Sequence, residues 1–348
     1  MTFRYPLCRP YITADMRERV AAAIASGWVG AEGPELEEFA ARWAELHERR
    51  YCVLTSSGTA ALRLALDACG VPEDGLVVMP SFTFQATAAA LNGRSPLFVD
   101  VGPNGVVEQE EMDRACKVLF ARAAVPVALY GVEPYIPKGI TTIVDAAQAH
   151  GVVMGGDVLC HSFAANKVIT TGMGGALLTD DEDIYDNAKT LAGHAGMLHD
   201  RYTPVAAGHN CRMSNVQAAL GCAQLDGWDY LRGIRRLIME AYGRRLMLWP
   251  PADCVESPWL VTIRVPAAHR DAIQAHLAKR GVETRKTFPG LHMGPLYSRY
   301  VIERTVPRYP MTDLLASEGL SLPTWPELNA EDVEVICGLA REALQEAG

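Results

Sequence analysis

A lysine and an aspartate carry the most specific chemistry in this sequence. Asp145 ends a short apolar run within VDAAQ (144–148), and Lys167 follows the next such run, 22 positions later. A lysine amine can condense with an aldehyde, and a carboxylate can keep a pyridine nitrogen protonated so that the ring accepts electrons. The pair therefore predicts pyridoxal phosphate as the cofactor. A solvent-facing lysine and a helix-capping aspartate are the alternatives.

Two other stretches could bind the remaining parts of such a cofactor. The segment SSGT (56–59) joins a predicted strand to a predicted helix. Backbone N–H groups at a helix N-terminus can hold a phosphate, although simple helix capping also explains these residues. Phe84 lies at another strand-to-helix turn, where its ring could stack on a planar cofactor or fill the core. A glycine-rich turn (172–175) after Lys167 would let the backbone approach a ligand closely.

These residues need elements that bring them to one edge of a sheet. Short apolar runs bounded by Gly, Pro or Asp predict strands at 51–55, 76–79, 96–100, 125–130, 141–144, 158–162 and 176–178. Helices are predicted at 16–26, 34–46, 60–69 and 85–91. Because strands of this kind are buried on both faces and alternate with helices, the pattern indicates an α/β domain with a mostly parallel sheet.

The pattern changes after residue 226. A helix (230–246), a strand (260–265), a helix (268–280), a loop rich in Gly, Pro and aromatic residues (288–300) and a last helix (330–347) follow. We therefore predict a large cofactor-binding domain at 1–226, which includes an N-terminal helical segment. A smaller α+β domain is predicted at 227–348.

The bulk properties exclude several classes of function. The net charge is -9 and no basic block is present, so nucleic acid and anionic membranes are poor partners. No apolar stretch approaches the ~18 residues of a membrane span, and residues 1–10 lack the apolar centre of a signal peptide. The nine cysteines form no CxxC pair, which predicts reduced thiols in a cytoplasmic protein and no metal site.

The order of these motifs resembles one family. The chain is similar to the DegT/DnrJ/EryC1/StrS sugar aminotransferases, which have aminotransferase fold type I. The matching stretches run from end to end and include SSGTAALRLAL (56–66), PSFTFQATAAA (80–90), VDAAQAHG (144–151), HSFAANKVITTGMGGALLTD (161–180) and HNCRMSNVQAALGCAQL (209–225). The resemblance implies pyridoxal 5'-phosphate as cofactor, with pyridoxamine 5'-phosphate formed during turnover.

The resemblance also implies a role for each matching residue near the cofactor ring. Lys167 forms the Schiff base and later moves a proton, and Asp145 pairs with the pyridine nitrogen. Gln148 lies near the ring and its phenolic oxygen, while Phe84 stacks on the ring. The implied phosphate contacts are Gly58, Thr59 and Ser162.

Three further residues have roles implied only by the resemblance. Asn210 reaches the phosphate of the neighbouring subunit, which implies a homodimer with shared active sites. Arg212 and His292 are candidates for contact with the substrate.

The implied reaction moves an amino group from an amino acid, with glutamate expected, to a nucleotide-linked keto sugar. The sequence at residues 166–172 is similar to that of perosamine synthases, which favours carbon 4 of a 4-keto-6-deoxy sugar as the site of amination. Two alternatives remain. One is a pyridoxamine-dependent keto-sugar dehydratase, although such enzymes have a histidine in place of the lysine. The other is a catalytically idle protein that binds or regulates.

One departure from the family pattern bears on the fold. Relatives have a crossover helix before the strand that ends in the aspartate, but here only residues 132–140, with two prolines, precede it. A parallel crossover normally takes a dozen or more residues. We therefore predict an extended link without that helix. Ala164, Ala165, His209 and Cys211 also differ from the usual residues, and we interpret these changes as bearing on the sugar specificity and not on the cofactor chemistry.

Overall fold

The computed structural model describes residues 3–117, 120–194, 196–197, 200–297 and 309–347. Its helices are α1 (Ala14–Ala25), α2 (Pro34–Leu46), α3 (Gly58–Ala68), α4 (Gln85–Ala89), α5 (Gln109–Lys117), α6 (Glu182–Ala192), α7 (Asn215–Asp226), α8 (Trp228–Gly243), α9 (Arg270–Lys279), α10 (Pro310–Glu318) and α11 (Ala330–Ala347). Its strands are β1 (Tyr51–Thr55), β2 (Leu76–Pro80), β3 (Ser95–Val99), β4 (Ala123–Ala124), β5 (Thr141–Asp145), β6 (Val158–Ser162), β7 (Gly175–Thr179), β8 (Gly196–Met197), β9 (Asp200–Pro204), β10 (Val261–Arg264), β11 (Arg285–Lys286) and β12 (Gly319–Leu322).

The main sheet determines where the candidate site lies. Its order is β1-β7-β6-β5-β4-β2-β3, and the five strands from β6 to β3 pair in parallel. Strand β7 runs antiparallel to both β1 and β6, so β1 points in the same direction as β6. The carboxyl ends of β1, β2, β5 and β6 therefore share one edge, where ligands bind in open α/β sheets. The prediction of a mostly parallel sheet is confirmed.

Helices cover both faces of this sheet because its strands are apolar throughout. On one face, α3 buries nearly all of its Ala and Leu side chains against β6 and β7. On the other face, α2 buries Phe39 and Trp43 beside Phe163. Helix α7 packs against α1 and α2 outside that layer. This packing fixes the sheet edge from which the candidate residues project.

The C-terminal part contains a second, antiparallel sheet of order β10-β12-β11. Helices α8, α9 and α11 pack with it around a core of its own, and Tyr5 near the N-terminus joins this core through a bridge to Val282. The predicted helix at 330–347 matches α11 in both bounds. The domain boundary at residue 227 stays a prediction, and positions 298–300 of the predicted loop lie outside the described residues.

One predicted strand is wrong. The run 125–130 was expected to be extended, but the strand is only Ala123–Ala124, and a single bridge from Val127 to Asp145 follows it. Pro126 has no N–H to donate, and Tyr130 has a φ of 54°, which no strand residue adopts. The apolar character of the run reflects burial, because a turn of 3-10 helix at Leu129–Gly131 is also buried.

The missing crossover helix is confirmed. Residues 132–140 contain no helix and no strand. Thr142 Oγ1 donates hydrogen bonds to the carbonyl oxygens of Pro137 and Ile140, which holds the end of this link against β5. The connection is therefore an extended segment that passes directly into the strand carrying Asp145.

The cysteines and the helices bear on the predictions of reduced thiols and of no membrane span. All nine cysteines are free thiols, four of them buried. Among the described helices, none has the length and apolar character needed to cross a membrane.

Candidate active site

Lys167 lies in the loop between β6 and β7. Its backbone N–H donates to the carbonyl oxygen of Ala164 at 2.9 Å, which makes a turn. The neighbouring Asn166 carbonyl accepts a hydrogen bond from Trp259 Nε1 at 2.8 Å and one from the Cys8 thiol. The loop is therefore anchored to the N-terminal segment through Cys8 and to the C-terminal part of the chain through Trp259.

The Lys167 side chain is half-buried, and its amine lies over an aromatic ring. Its Nζ atom lies 4.1 Å from the centre of the Trp259 ring. Burial lowers the pKa of Lys167 to about 8, with Asp145 opposing the shift and the positive charge of Arg285 adding to it. A cation over an aromatic face is stabilised, so Trp259 also opposes the effect of burial. A lysine with this pKa is about one-tenth neutral at pH 7, far more than an ordinary lysine, and the neutral amine is the nucleophile.

Asp145 ends β5 and faces the same region. Its Oδ2 atom accepts a hydrogen bond from Thr87 Oγ1 at 2.7 Å, and its Oδ1 atom accepts one from the Ala147 N–H at 3.1 Å. Burial raises the pKa of Asp145, while these two hydrogen bonds and Lys167 lower it. A buried carboxylate gains most from a nearby cation or proton donor, and a protonated ring nitrogen provides both.

Gln148 is held one turn after Asp145. Its Oε1 atom accepts a hydrogen bond from the Tyr130 backbone N–H at 2.7 Å. The Tyr130 ring stacks between Trp259 and Phe288, with ring centres 5.9 and 6.0 Å away. Because its oxygen is already bonded, Gln148 presents its amide NH2 group as a donor.

The structure brings together the three predicted phosphate residues. Ser57 caps α3 by accepting from the Ala60 N–H, and Gly58 begins that helix directly beside Ser162. A Cβ atom at Gly58 would lie 2.7 Å from Ser162 Cβ, so only glycine fits. Thr59 follows in the first turn of α3, whose N–H groups and dipole favour an anion.

Phe84 is at the start of α4, and its side chain is 48% exposed. The ring contacts Phe288 at 5.7 Å between centres. Thr87, which donates to Asp145, follows one turn later on the same helix. An aromatic ring that stays exposed beside a buried carboxylate is available to cover a planar ligand.

The remaining candidates lie farther out. Asn210 and Arg212 are exposed, and their backbones pair with Gly193 and Thr55. His292 differs, because it is fixed by other protein groups. Its Nδ1 atom is 2.7 Å from Ser81 Oγ, its Nε2 atom is 3.3 Å from Asp313, and its ring stacks on Tyr309. Burial lowers the pKa of His292, against the effect of Asp313 and Asp100.

Sequence reasoning missed several residues of this site. Thr87, Tyr130, Trp259 and Arg285 were not singled out, although each bonds, stacks on or acts on a predicted residue. Thr87 could have been found, since its position one turn after Phe84 places both on the same helix. The others come from remote parts of the chain and leave no local pattern.

The residues present fit pyridoxal phosphate. They supply a lysine amine of lowered pKa, a buried carboxylate with two hydrogen bonds, an exposed aromatic ring and a helix N-terminus at which no side chain larger than glycine fits. These are the groups that this cofactor requires of a protein.

The comparison with protein families gives a nearly full-length match. The model of the DegT/DnrJ/EryC1/StrS aminotransferase family matches residues 10–340. A GDP-perosamine synthase of Escherichia coli O157:H7 is 31% identical, over 95% of this chain and 96% of its own length. A UDP-2-acetamido-2-deoxy-3-oxo-D-glucuronate aminotransferase of Pseudomonas aeruginosa is 28% identical, over 88% of this chain and 89% of its own length.

Solved structures agree with this match. DesI in the presence of its TDP-sugar product has a TM-score of 0.87 at 29% identity, over 99% of this chain and 94% of DesI. DesV of S. venezuelae with a ketimine intermediate has a TM-score of 0.85 at 28% identity, over 94% of both chains. The predicted family, fold type, enzyme class and cofactor are confirmed.

Proposed function

Because this chain belongs to the DegT/DnrJ/EryC1/StrS aminotransferase family, we propose that it transfers an amino group from glutamate to carbon 4 of a nucleotide-linked 4-keto-6-deoxy sugar. The names of its relatives support a nucleotide-linked keto sugar as acceptor. They differ in nucleotide and in sugar. GDP-perosamine synthases from three organisms are 27–31% identical over at least 95% of this chain, which favours the carbon-4 assignment.

The observation that carries this proposal is the geometry around Lys167 and Asp145. The Lys167 amine lies 4.1 Å from the centre of the Trp259 ring, and the buried Asp145 carboxylate is fixed by Thr87 and the Ala147 N–H. Burial also lowers the pKa of Lys167 to about 8, so the same nitrogen can accept a proton and return it near neutral pH. Bound pyridoxal phosphate would supply an electron sink for the carbanion that forms at the donor α-carbon. With the cofactor bound, Lys167 Nζ would take the proton from the donor α-carbon and deliver it to the cofactor carbon that carries the transferred nitrogen. When the acceptor sugar enters, Lys167 Nζ would move a proton in the reverse direction, from the cofactor to the substrate.

The other residues bind and orient. Asp145, fixed by Thr87 and the Ala147 N–H, holds a proton at the pyridine nitrogen. The start of α3 at Gly58 and Thr59, together with Ser162, binds the phosphate. Phe84 covers the ring, and Gln148 donates toward its phenolic oxygen. Arg212 and His292 contact the substrate, a role for which the exposed Arg212 has the freer side chain.

We further propose a cytoplasmic homodimer in which Asn210 reaches the phosphate of the neighbouring active site. Its side chain is exposed in the single chain, as a residue acting in trans would be. The proposed domains at 1–226 and 227–348 then meet at the sheet edge, since Trp259 and Phe288 contact Tyr130 there.

The experiment is to incubate the purified protein with pyridoxal phosphate, glutamate and a panel of UDP-, dTDP- and GDP-linked keto sugars. We expect a mass change of one sugar from ketone to amine, with 2-oxoglutarate released. Lys167→Ala should retain the cofactor through the phosphate site and lose turnover by at least about 10³-fold. The exposed Lys189→Ala is the matched control and should keep full activity.

The same experiment separates the alternatives. A dehydratase would convert the sugar with loss of water and without incorporating nitrogen, and an idle protein would convert none. Full turnover by Lys167→Ala would overturn the proposal even if an amino sugar were formed.

A further inference from the structure

His150 is buried behind the loop that carries Lys167, and both of its ring nitrogens bond to backbone groups. The side chain is 1% exposed. Its Nε2 atom lies 3.0 Å from the carbonyl oxygen of Ser162, and its Nδ1 atom lies 3.3 Å from the backbone nitrogen of Ile169. One imidazole therefore joins the end of β6 to a point two residues beyond Lys167.

The two partners determine the protonation state of the ring. The Ser162 carbonyl can only accept, so Nε2 must carry the hydrogen. The Ile169 N–H can only donate, so Nδ1 must be bare. A neutral imidazole in this single tautomer satisfies both bonds, whereas an imidazolium would direct a second N–H at the Ile169 N–H.

We propose that His150 is a positioning residue for the Lys167 loop, holding the amine of Lys167 and the phosphate residue Ser162 at a fixed separation. This inference rests on the proposed function, since it concerns the same site. A bound cofactor would span these two points, one through the lysine and one through the phosphate. The distance between the Lys167 amine and Ser162 therefore determines how well the folded loop binds the cofactor.

The surroundings of His150 keep it neutral. Among the described residues, the charged or titratable groups that face His150 are Lys167, His47, His161 and Arg235 of α8, and none of these is a carboxylate. Trp43 and Phe163 complete the enclosure with ring centres 5.0 and 5.7 Å away. Burial, together with the positive charges of Lys167 and Arg235, holds the pKa of His150 well below its usual value. The His150 clamp, which is its pair of hydrogen bonds to the Ser162 carbonyl and the Ile169 N–H, is therefore intact at neutral pH and opens only in acid.

His161 offers a matched control. It belongs to the same buried cluster, and its ring is 5.8 Å from that of His150. Its Nδ1 atom accepts from Trp43 Nε1 at 3.4 Å, and its Nε2 atom has no hydrogen-bond partner among the residues that the structure describes. Loss of His161 therefore removes a similar buried ring without removing a hydrogen bond to the loop.

The test compares His150→Leu, His150→Gln and His161→Leu with the unchanged protein. The first readout is amide hydrogen exchange of the cofactor-free protein over residues 163–171, because the Ile169 amide is itself one of the clamp bonds. The second is the affinity for pyridoxal phosphate. We expect His150→Leu to raise exchange at Ile169 and weaken cofactor binding, each about tenfold, as loss of one or two hydrogen bonds predicts.

The other variants distinguish clamping from simple packing. His161→Leu should lower the thermal midpoint and leave loop exchange and affinity near their original values. His150→Gln retains a donor and an acceptor, so it should recover part of the protection. It should also lose the extra acid sensitivity of loop exchange that the unchanged protein shows.

Three outcomes would overturn the proposal: unchanged loop exchange in His150→Leu, an equal effect of His161→Leu, or the same acid response in His150→Gln. If His150→Leu does not fold, the glutamine variant and its pH response decide the matter. If the unchanged protein binds no pyridoxal phosphate, the proposed function fails. The exchange measurements on the cofactor-free chain still decide the clamp.

Discussion

The inner wall of the site and its outer rim are built differently. The inner wall comprises Thr87, Asp145, Gln148 and Trp259, all buried and all hydrogen-bonded to other parts of the chain. The rim comprises Phe84, Asn210 and Arg212, whose side chains are exposed. The wall is thus ordered by the fold alone, whereas the rim presents aromatic and polar groups outward.

This difference indicates a division of work. Groups that tune a reacting centre must be preorganised, because any freedom there lowers the rate. Groups that select a substrate or a second subunit gain their contacts only on binding. We therefore expect wall variants to change the rate of the chemical step, and rim variants to change the affinity for ligands.

The largest effect among the wall residues is expected for Asp145→Asn. Asparagine still accepts a hydrogen bond from Thr87, so the fold and cofactor binding should persist. It cannot hold the ring nitrogen protonated, and the half-reaction with glutamate should slow by about 10²- to 10³-fold. Stopped-flow absorbance of the cofactor measures this rate. Asp183→Asn, an exposed position at the start of α6, is the control.

An unchanged rate in Asp145→Asn would mean that the carboxylate serves only to cap the Ala147 N–H. The inner wall would then contain no residue that acts on the ring nitrogen. The expectation that wall variants change the rate of the chemical step would be wrong.

Acid should weaken the layer behind the wall. Burial lowers the pKa of His47 to about 4 and holds the pKa values of His150 and His161 well below the usual range. The unfolded chain binds these protons below about pH 6.5, and the folded chain does not. The contribution of these histidines to the free energy of unfolding is therefore fully present above that pH. It falls as the pH drops toward 4, by about 1.4 kcal/mol per histidine for each pH unit.

Urea unfolding at a series of pH values between 4.5 and 8 measures this dependence. The variant His161→Phe should have a shallower slope by about one proton, whatever its stability at pH 8. Equal slopes for the two proteins would show that His161 is protonated in the folded state.

The smallest effect is expected at the rim. The variant Arg212→Ala removes an exposed side chain, so the free energy of unfolding should change by less than about 0.5 kcal/mol. The KM for the nucleotide-linked sugar should rise about twofold to fivefold, as expected for an exposed charge contact. The half-reaction with glutamate should keep its rate. Arg232→Ala, an exposed arginine on α8, should change none of these quantities.

A slower half-reaction in Arg212→Ala, with an unaltered KM for the sugar, would show that Arg212 acts on the chemical step and not on sugar binding.

Local patterns predicted the elements that carry the site. The strands β1 and β6 and the helix α2 have the predicted bounds, because Gly, Pro and polar residues mark their ends in the sequence. The missing crossover helix was also predictable, since residues 132–140 are too few and contain two prolines. The order of motifs also predicted Asp145 and Lys167 as site residues before any distance was known.

The rest depended on contacts between remote residues. The cluster of His47, His150 and His161 joins three separate segments, and no spacing in the sequence indicates that their rings meet. Trp259 contacts Lys167 from 92 positions away in the chain. The error at 125–130 has a local cause, because apolar composition reports burial and does not distinguish a strand from a buried turn.

The most direct test of the central claim is reductive trapping. Sodium borohydride converts a Schiff base between lysine and cofactor into a stable secondary amine, which survives proteolysis and is located by peptide mass spectrometry. We predict one cofactor-derived group per chain, on Lys167, in protein loaded with pyridoxal phosphate. A label on another lysine, or none in protein that has bound the cofactor, would contradict the assignment of Lys167.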